Sequence, residues 1–151
     1  TGIPNFDHAA GYLDNDFPHR DYVLVATSDS RETLKRASKR PFLEWAAAIA
    51  DGRPMIFKLH PNENFERSTR EIKAILPDAL VLTRGNTAYM IANAQALTTE
   101  HSSCLYVGLA LQKECHSYVF DTGELRRLLP LQNGGTSGER IAEVAREVLG
   151  G

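Results

Sequence analysis

The chain has 151 residues, 42% hydrophobic and 24% charged, enough to bury a core of its own and without a signature of disorder. A formal net charge of -2 excludes bulk attraction to nucleic acid, and no apolar stretch approaches the roughly 20 residues of a membrane span. The expectation is one cytoplasmic globular domain.

The chain opens on Thr1-Gly2-Ile3-Pro4-Asn5-Phe6-Asp7-His8, with no initiator Met and no secretory pattern, and reads as a piece of something longer. Residues 1–20, interrupted by Pro4, Gly11 and Pro18, read as a connector with a helical turn around Ala9 to Leu13. Residues 21–151 read as one domain.

Within that domain, short apolar runs alternate with longer amphipathic ones. The strand candidates are Tyr22 to Thr27, Met55 to His60, Ala79 to Thr83, Ala94 to Thr98 and Cys115 to Phe120. Each is mostly continuous rather than alternating, as buried parallel strands require. The first helix is expected from Arg31 to Ala50, with Asp29 and Glu32 at its start and Pro41 breaking or kinking it. The second follows Asn64 and stops at Pro77. Asn86 caps a third through Ala92, and Ser102 caps a fourth from Cys104 to Leu111. After the Gln132-Asn133-Gly134-Gly135 turn, Thr136 and Glu139 form a capping box, and Ile141, Val144, Ala145, Val148 and Leu149 share one helical face. The pattern predicts an α/β fold, a Rossmann-like three-layer α/β/α sandwich with a mainly parallel sheet of about five or six strands.

In such a sheet, ligands bind beyond the carboxyl ends of the strands. That rule selects Ser28-Asp29-Ser30-Arg31, His60-Pro61-Asn62, Arg84-Gly85-Asn86-Thr87 and Glu100-His101-Ser102-Ser103. All four loops are polar, and together they can hold a diphosphate without a metal cage. Ser102 and Ser103 open a helix, where hydroxyls and free N–H groups suit a phosphate, although serines also simply cap helices. His60, turned by Pro61, is a candidate acid, base or phosphate ligand, and His101 is a weaker one. Glu100 can orient a histidine or a ligand hydroxyl, or salt-bridge Arg84 across adjacent loops. Ser28 lies in the first loop, Arg31 can grip a phosphate, and Gly85 allows close approach of a flat ring.

His8, His19 and His116 read as structural, and Cys104 and Cys115 as reduced packing residues. No His or Cys cluster has metal spacing, and there is no G-x-G-x-x-G, G-x-x-x-x-G-K-[ST] or G-x-S-x-G signature. Neither metal nor cofactor is expected.

With His60-Pro61 after the second strand and Thr99-Glu100-His101-Ser102-Ser103 after the fourth, nearly the whole chain resembles the C-terminal half of the GT-B transferase fold. It looks closest to the CDP-glycerol glycerophosphotransferase and capsular polysaccharide transferase group, whose matching motifs are a His-Pro pair and a Thr-Asp-Tyr-Ser-Ser string. A more distant likeness is to the UDP-N-acetylglucosamine 2-epimerases, in which Arg31-Glu32 resembles an Arg-Glu-Asn segment.

The epimerases carry a glycine pair and a Glu-Glu where this chain has Ser102, Ser103, Tyr106 and Val107. The transferase resemblance implies a domain that binds a nucleotide-activated donor and passes a glycosyl or polyol-phosphate group to a cell-surface or capsular acceptor. Its N-terminal acceptor domain would lie outside this chain, and the full-length enzyme could sit peripherally at a membrane. In that reading Ser102 and Ser103 hold the diphosphate, His60 stabilises the leaving phosphate, and Arg84, Gly85 and Asn86 line the base pocket. The alternatives are a sugar-nucleotide 2-epimerase or hydrolase, and a non-catalytic nucleotide-binding or interaction module.

Overall fold

The computed structural model describes residues 9–29, 38–100 and 102–118. Five strands, β1 Val23–Ala26, β2 Met55–Lys58, β3 Leu80–Leu82, β4 Ala96–Thr99 and β5 Glu114–Ser117, form one parallel sheet in the order β3-β2-β1-β4-β5. The fold is therefore the expected Rossmann-like α/β arrangement, with the first strand at its centre. Each strand is shorter than the apolar run that announced it. The expected Phe120 end of the fifth lies outside the described residues, as does the helix expected after Thr136.

Alternation along β1 sends its side chains to two cores. Leu24 and Ala26 meet Ile56, Leu97 and Cys115 under helices α3 (Thr87–Asn93) and α4 (Cys104–Ala110). Val25 meets Phe57 and Leu59 under α1 (Arg40–Ala50) and α2 (Phe65–Ile75). Leu24, Leu43, Leu97, Leu105 and Leu109 are completely or almost completely buried, each worth roughly 1.5–3 kcal/mol of transfer free energy. With both faces covered, the strands need apolar residues at consecutive positions, hence the continuous runs.

The first helix differs from expectation. Ser38 and Lys39 precede it, it starts at Arg40, and Pro41 sits in its first turn instead of kinking its middle. Proline is tolerated there because the N–H it lacks has no intrahelical partner. Residues 31–37 lie outside the described residues. The second helix follows Asn64 as expected, with Asn64 capping it by accepting the Arg67 N–H at 2.9 Å, and Asn86 caps α3 as expected, accepting from Ala88 at 3.0 Å.

The leading segment is clipped to the end of α3. After a 3-10 turn at Ala9–Leu13, the Asn93 amide donates to Asn15 Oδ1, to the Phe17 carbonyl and to the His19 carbonyl, at 3.0, 3.1 and 3.1 Å. Tyr22 donates its phenol to the Met90 carbonyl, and burial pushes that phenol well above its ordinary pKa. Cys115 is buried in the core, Cys104 is half-buried, and both are free thiols. Among the described residues no helix is long and apolar enough to cross a membrane.

Two predictions follow from this packing. A Cβ on Gly108 would lie 2.7 Å from Leu97 Cδ2 and 2.8 Å from Cys115 Sγ, so Gly108→Ala should destabilise the domain by about 1–3 kcal/mol in urea unfolding. At the amino edge, hydrogen bonds from Arg53 and then His116 hold the Glu114 carboxyl below its ordinary value. A depressed folded pKa means that this stabilisation is complete above about pH 4.5 and lost as pH falls through the folded value. The pair is half-exposed and worth at most ~1 kcal/mol. Melting curves of wild type and Glu114→Gln should differ at pH 7 and converge at strongly acid pH.

Candidate functional site

All five strands are parallel, so every loop that follows a strand leaves at the same edge. The chain runs outward from β1 to β2 and β3, then returns to β4 on the other side of β1. In open parallel sheets such a reversal marks the crevice in which ligands bind, here between the carboxyl ends of β1 and β4. The register places Ala26 beside both Lys58 and Thr99, so Ser28, His60 and Glu100 all stand within two residues of one level. Three of the candidate residues are thus neighbours because of strand order. Ser28 donates to Glu100 Oε2 at 2.9 Å directly across the crevice, and both residues are buried.

Beneath them lies a polar network with no signal in the sequence. The Glu63 carboxylate accepts from Thr27 Oγ1, from Lys39 Nζ, from the His60 N–H at 3.0 Å and from Ser68 Oγ at 2.9 Å. Lys39 also donates to the Ser28 carbonyl at 3.1 Å. One carboxylate therefore joins the end of β1, the start of α1, the loop after β2 and the first turn of α2. Lys39, Glu63, Thr27 and Ser68 are all buried. The sequence hides them because Lys39 stands in a run of basic residues that reads as solvated surface, and Glu63 lies 24 residues further on.

The backbone N–H of Asn62 donates to His60 Nδ1 at 3.1 Å. An acceptor at Nδ1 puts the proton of the neutral ring on Nε2, which makes that nitrogen the donor left for a ligand oxygen. Ser103 occupies the cap position of α4 but makes no side-chain capping bond. The capping contact comes instead from Ser102 Oγ, which accepts the Cys104 N–H at 3.2 Å. Ser103 is exposed and its hydroxyl is not engaged in capping.

The third loop lies on the far side of β2. Arg84 is exposed there, and β2 and β1 separate β3 from β4, so of the two alternatives for Glu100 the salt bridge to Arg84 across adjacent loops does not form. Loops adjacent in chain order are not adjacent in a sheet that reverses direction. Gly85 has φ +110, and a Cβ there would meet Met90 Cε at 2.6 Å, so backbone and packing account for this glycine. Arg31 and His101 lie outside the described residues.

A cavity of about 580 Å³ lies at the opposite, amino edge of the sheet, between Tyr22, Met55, Leu80 and the guanidinium-bearing Arg20 and Arg53. It is remote from the carboxyl-edge loops, and strand polarity favours those loops as the functional site.

A parallel sheet ordered 3-2-1-4-5 with helices on both faces defines a Rossmann-like α/β domain. No family model and no curated protein sequence matches the chain. Solved structures do. The UDP-GlcNAc 2-epimerase of Methanocaldococcus jannaschii in complex with UDP-GlcNAc and UDP aligns at a TM-score of 0.58 and 14% identity, over 97% of this chain and 54% of that one. A second structure of the same epimerase aligns at 0.60 and 14%, over 93% of this chain and 50% of that one. The chain thus spans about half the length of the structures it matches, and at this identity what is shared is the Rossmann-like α/β fold.

The two cap positions make opposite predictions. Asn86→Ala should cost about 1 kcal/mol in chemical unfolding, since the α3 cap is lost. Ser103→Ala, with no capping bond to lose, should leave the unfolding midpoint within ~0.5 kcal/mol of wild type, so any effect it has on a ligand is an effect on binding.

Proposed function

We propose that this domain is the nucleotide-donor half of a GT-B-type transferase, acting on a glycosyl or polyol-phosphate donor in the synthesis of a cell-surface polymer. The observation that carries the reading is the alignment of Ser28, His60 and Glu100 at one level of the carboxyl edge, with Ser28 bonded to Glu100 at the switch point and the serines that open α4 following Glu100 in the chain. A diphosphate is the ligand that suits this edge. His60 offers an Nε2 donor and Ser103 an uncommitted hydroxyl, while the N–H groups of Cys104, Leu105 and Tyr106 at the start of α4 are taken up by Ser102 and Ser103.

In this reading His60 stabilises the leaving phosphate, while Glu100, fixed by Ser28, orients a ligand hydroxyl or His101. Arg31 is assigned to the phosphates, and Arg84, Gly85 and Asn86 to the base from the β3 side. The chemistry runs by fixed donors in a closed cleft, without a resident cofactor. The acceptor side belongs to a partner domain outside this chain, and the donor arrives from the cytoplasm. Support for a nucleotide comes from the solved neighbours, in which the epimerase holds UDP-GlcNAc and UDP.

Those neighbours also favour a second reading, a sugar-nucleotide 2-epimerase or hydrolase. Against it stands the sequence resemblance, which implies that Tyr106 and Val107 fall where the epimerases carry a Glu-Glu pair.

Calorimetric titration of the chain with UDP and with CDP tests the proposal. Saturable binding of at least one nucleotide is expected, weakened about tenfold by His60→Ala and by Ser103→Ala, the worth of one charge-assisted hydrogen bond. Binding of neither nucleotide, or affinity indifferent to both substitutions, would refute it. Incubating the longer enzyme with UDP-N-acetylhexosamine and no acceptor separates the two chemistries, because a transferase leaves the sugar intact.

A further inference from the structure

One buried cation at the carboxyl edge is outside the Glu63 network. Lys58 ends β2 two residues after Ile56, so its side chain leaves the sheet on the Leu24 face. It is only 8% exposed, yet its ammonium makes a single hydrogen bond, to the Leu59 carbonyl at 3.0 Å, and no carboxylate among the described residues pairs with it. Lys39 is the contrast, a buried lysine neutralised by Glu63. An ammonium has three donors, and keeping one buried without counter-charge is costly.

The register adds a second observation. Lys58 stands beside Ala26, and Ala26 beside Thr99, so three neighbouring strands end in the row Lys58, Ala26, Thr99 on one face. Thr99 is fully buried and its Oγ1 has no hydrogen-bond partner. Thr98, one residue earlier on the other face, donates its hydroxyl to the Leu24 carbonyl at 3.4 Å. The row therefore sets the residue of an under-partnered ammonium and that of an orphaned hydroxyl on either side of a methyl group, on strands whose backbones are two spacings, or about 10 Å, apart; the long lysine side chain is free to span part of that gap. Both are donors, and an oxyanion is the ligand chemistry that satisfies the two together.

We propose that Lys58 and Thr99 form an oxyanion subsite under the crevice. Lys58 supplies the positive charge for a phosphate group of the ligand, and Thr99 donates from below to the same group or to a water that bridges to it. The inference rests on the reading of this edge as a nucleoside-diphosphate site and adds the residue that neutralises the charge.

Titration of the full chain with UDP, CDP and inorganic pyrophosphate tests it, alongside thermal melting without ligand. Lys58→Met should lower affinity for nucleotide and pyrophosphate at least tenfold while melting at or above the wild-type temperature, because an unpaired buried charge has been removed. Lys58→Arg should keep most of the binding, and Thr99→Val should lose severalfold with no loss of stability. Wild-type affinity in Lys58→Met, or a melting temperature well below wild type, overturns the subsite and makes Lys58 structural. Pyrophosphate binding that depends on Lys58, without binding of either nucleotide, would support the subsite and refute the nucleotide reading. Binding of neither by the wild-type chain would refute both.

Discussion

The carboxyl edge of this domain hangs on the Glu63 carboxylate. Removing a carboxylate from water is expensive unless its lone pairs are filled, and here the donors come from four separate segments of chain. The same bonds that satisfy Glu63 therefore set the positions of the β1 and β2 loops relative to each other. Lys39 carries that order one step further, to the Ser28 carbonyl, and Ser28 carries it across the crevice to Glu100. A continuous chain of contacts then spans β2, β1 and β4 with little freedom to relax.

This arrangement divides the polar groups of the edge into two kinds. Lys39 and Glu63 cancel each other below the surface, and their hydrogen bonds are consumed by structure. Fewer polar groups of the candidate residues are left outside that network: the His60 ring, whose Nδ1 accepts from the Asn62 N–H, the uncommitted Ser103 hydroxyl, and the Glu100 carboxylate held by Ser28. The fold alone would not specify this chemistry, since Rossmann-like domains carry many functions on one scaffold.

Much of the architecture was legible because it rests on local rules. Continuous apolar runs announced strands covered on both faces, and Asn64 and Asn86 announced helix starts that their amide oxygens do cap. Pro41 was legible as a break but not as a beginning, since both outcomes obey the same steric rule. Candidate residues at strand ends were legible because strand polarity puts all such loops at one edge. Lys39 and Glu63 were not, because each looks like surface charge until the fold buries it against the other. The supposed partnership of Arg84 with Glu100 failed for the complementary reason, namely that nearness in chain order says nothing about strand order.

By itself, then, the sequence determined the periodicities, the caps and the polarity of the four loops, all of which depend on residues within a few positions of one another. Tertiary structure alone decided which loops meet, which lysine is neutralised and which is left with a single carbonyl, and which of two adjacent threonines finds a partner. The physical reason is that burial and pairing depend on strand order and register. Those are set by packing both faces of the whole sheet at once and not by any one segment of it.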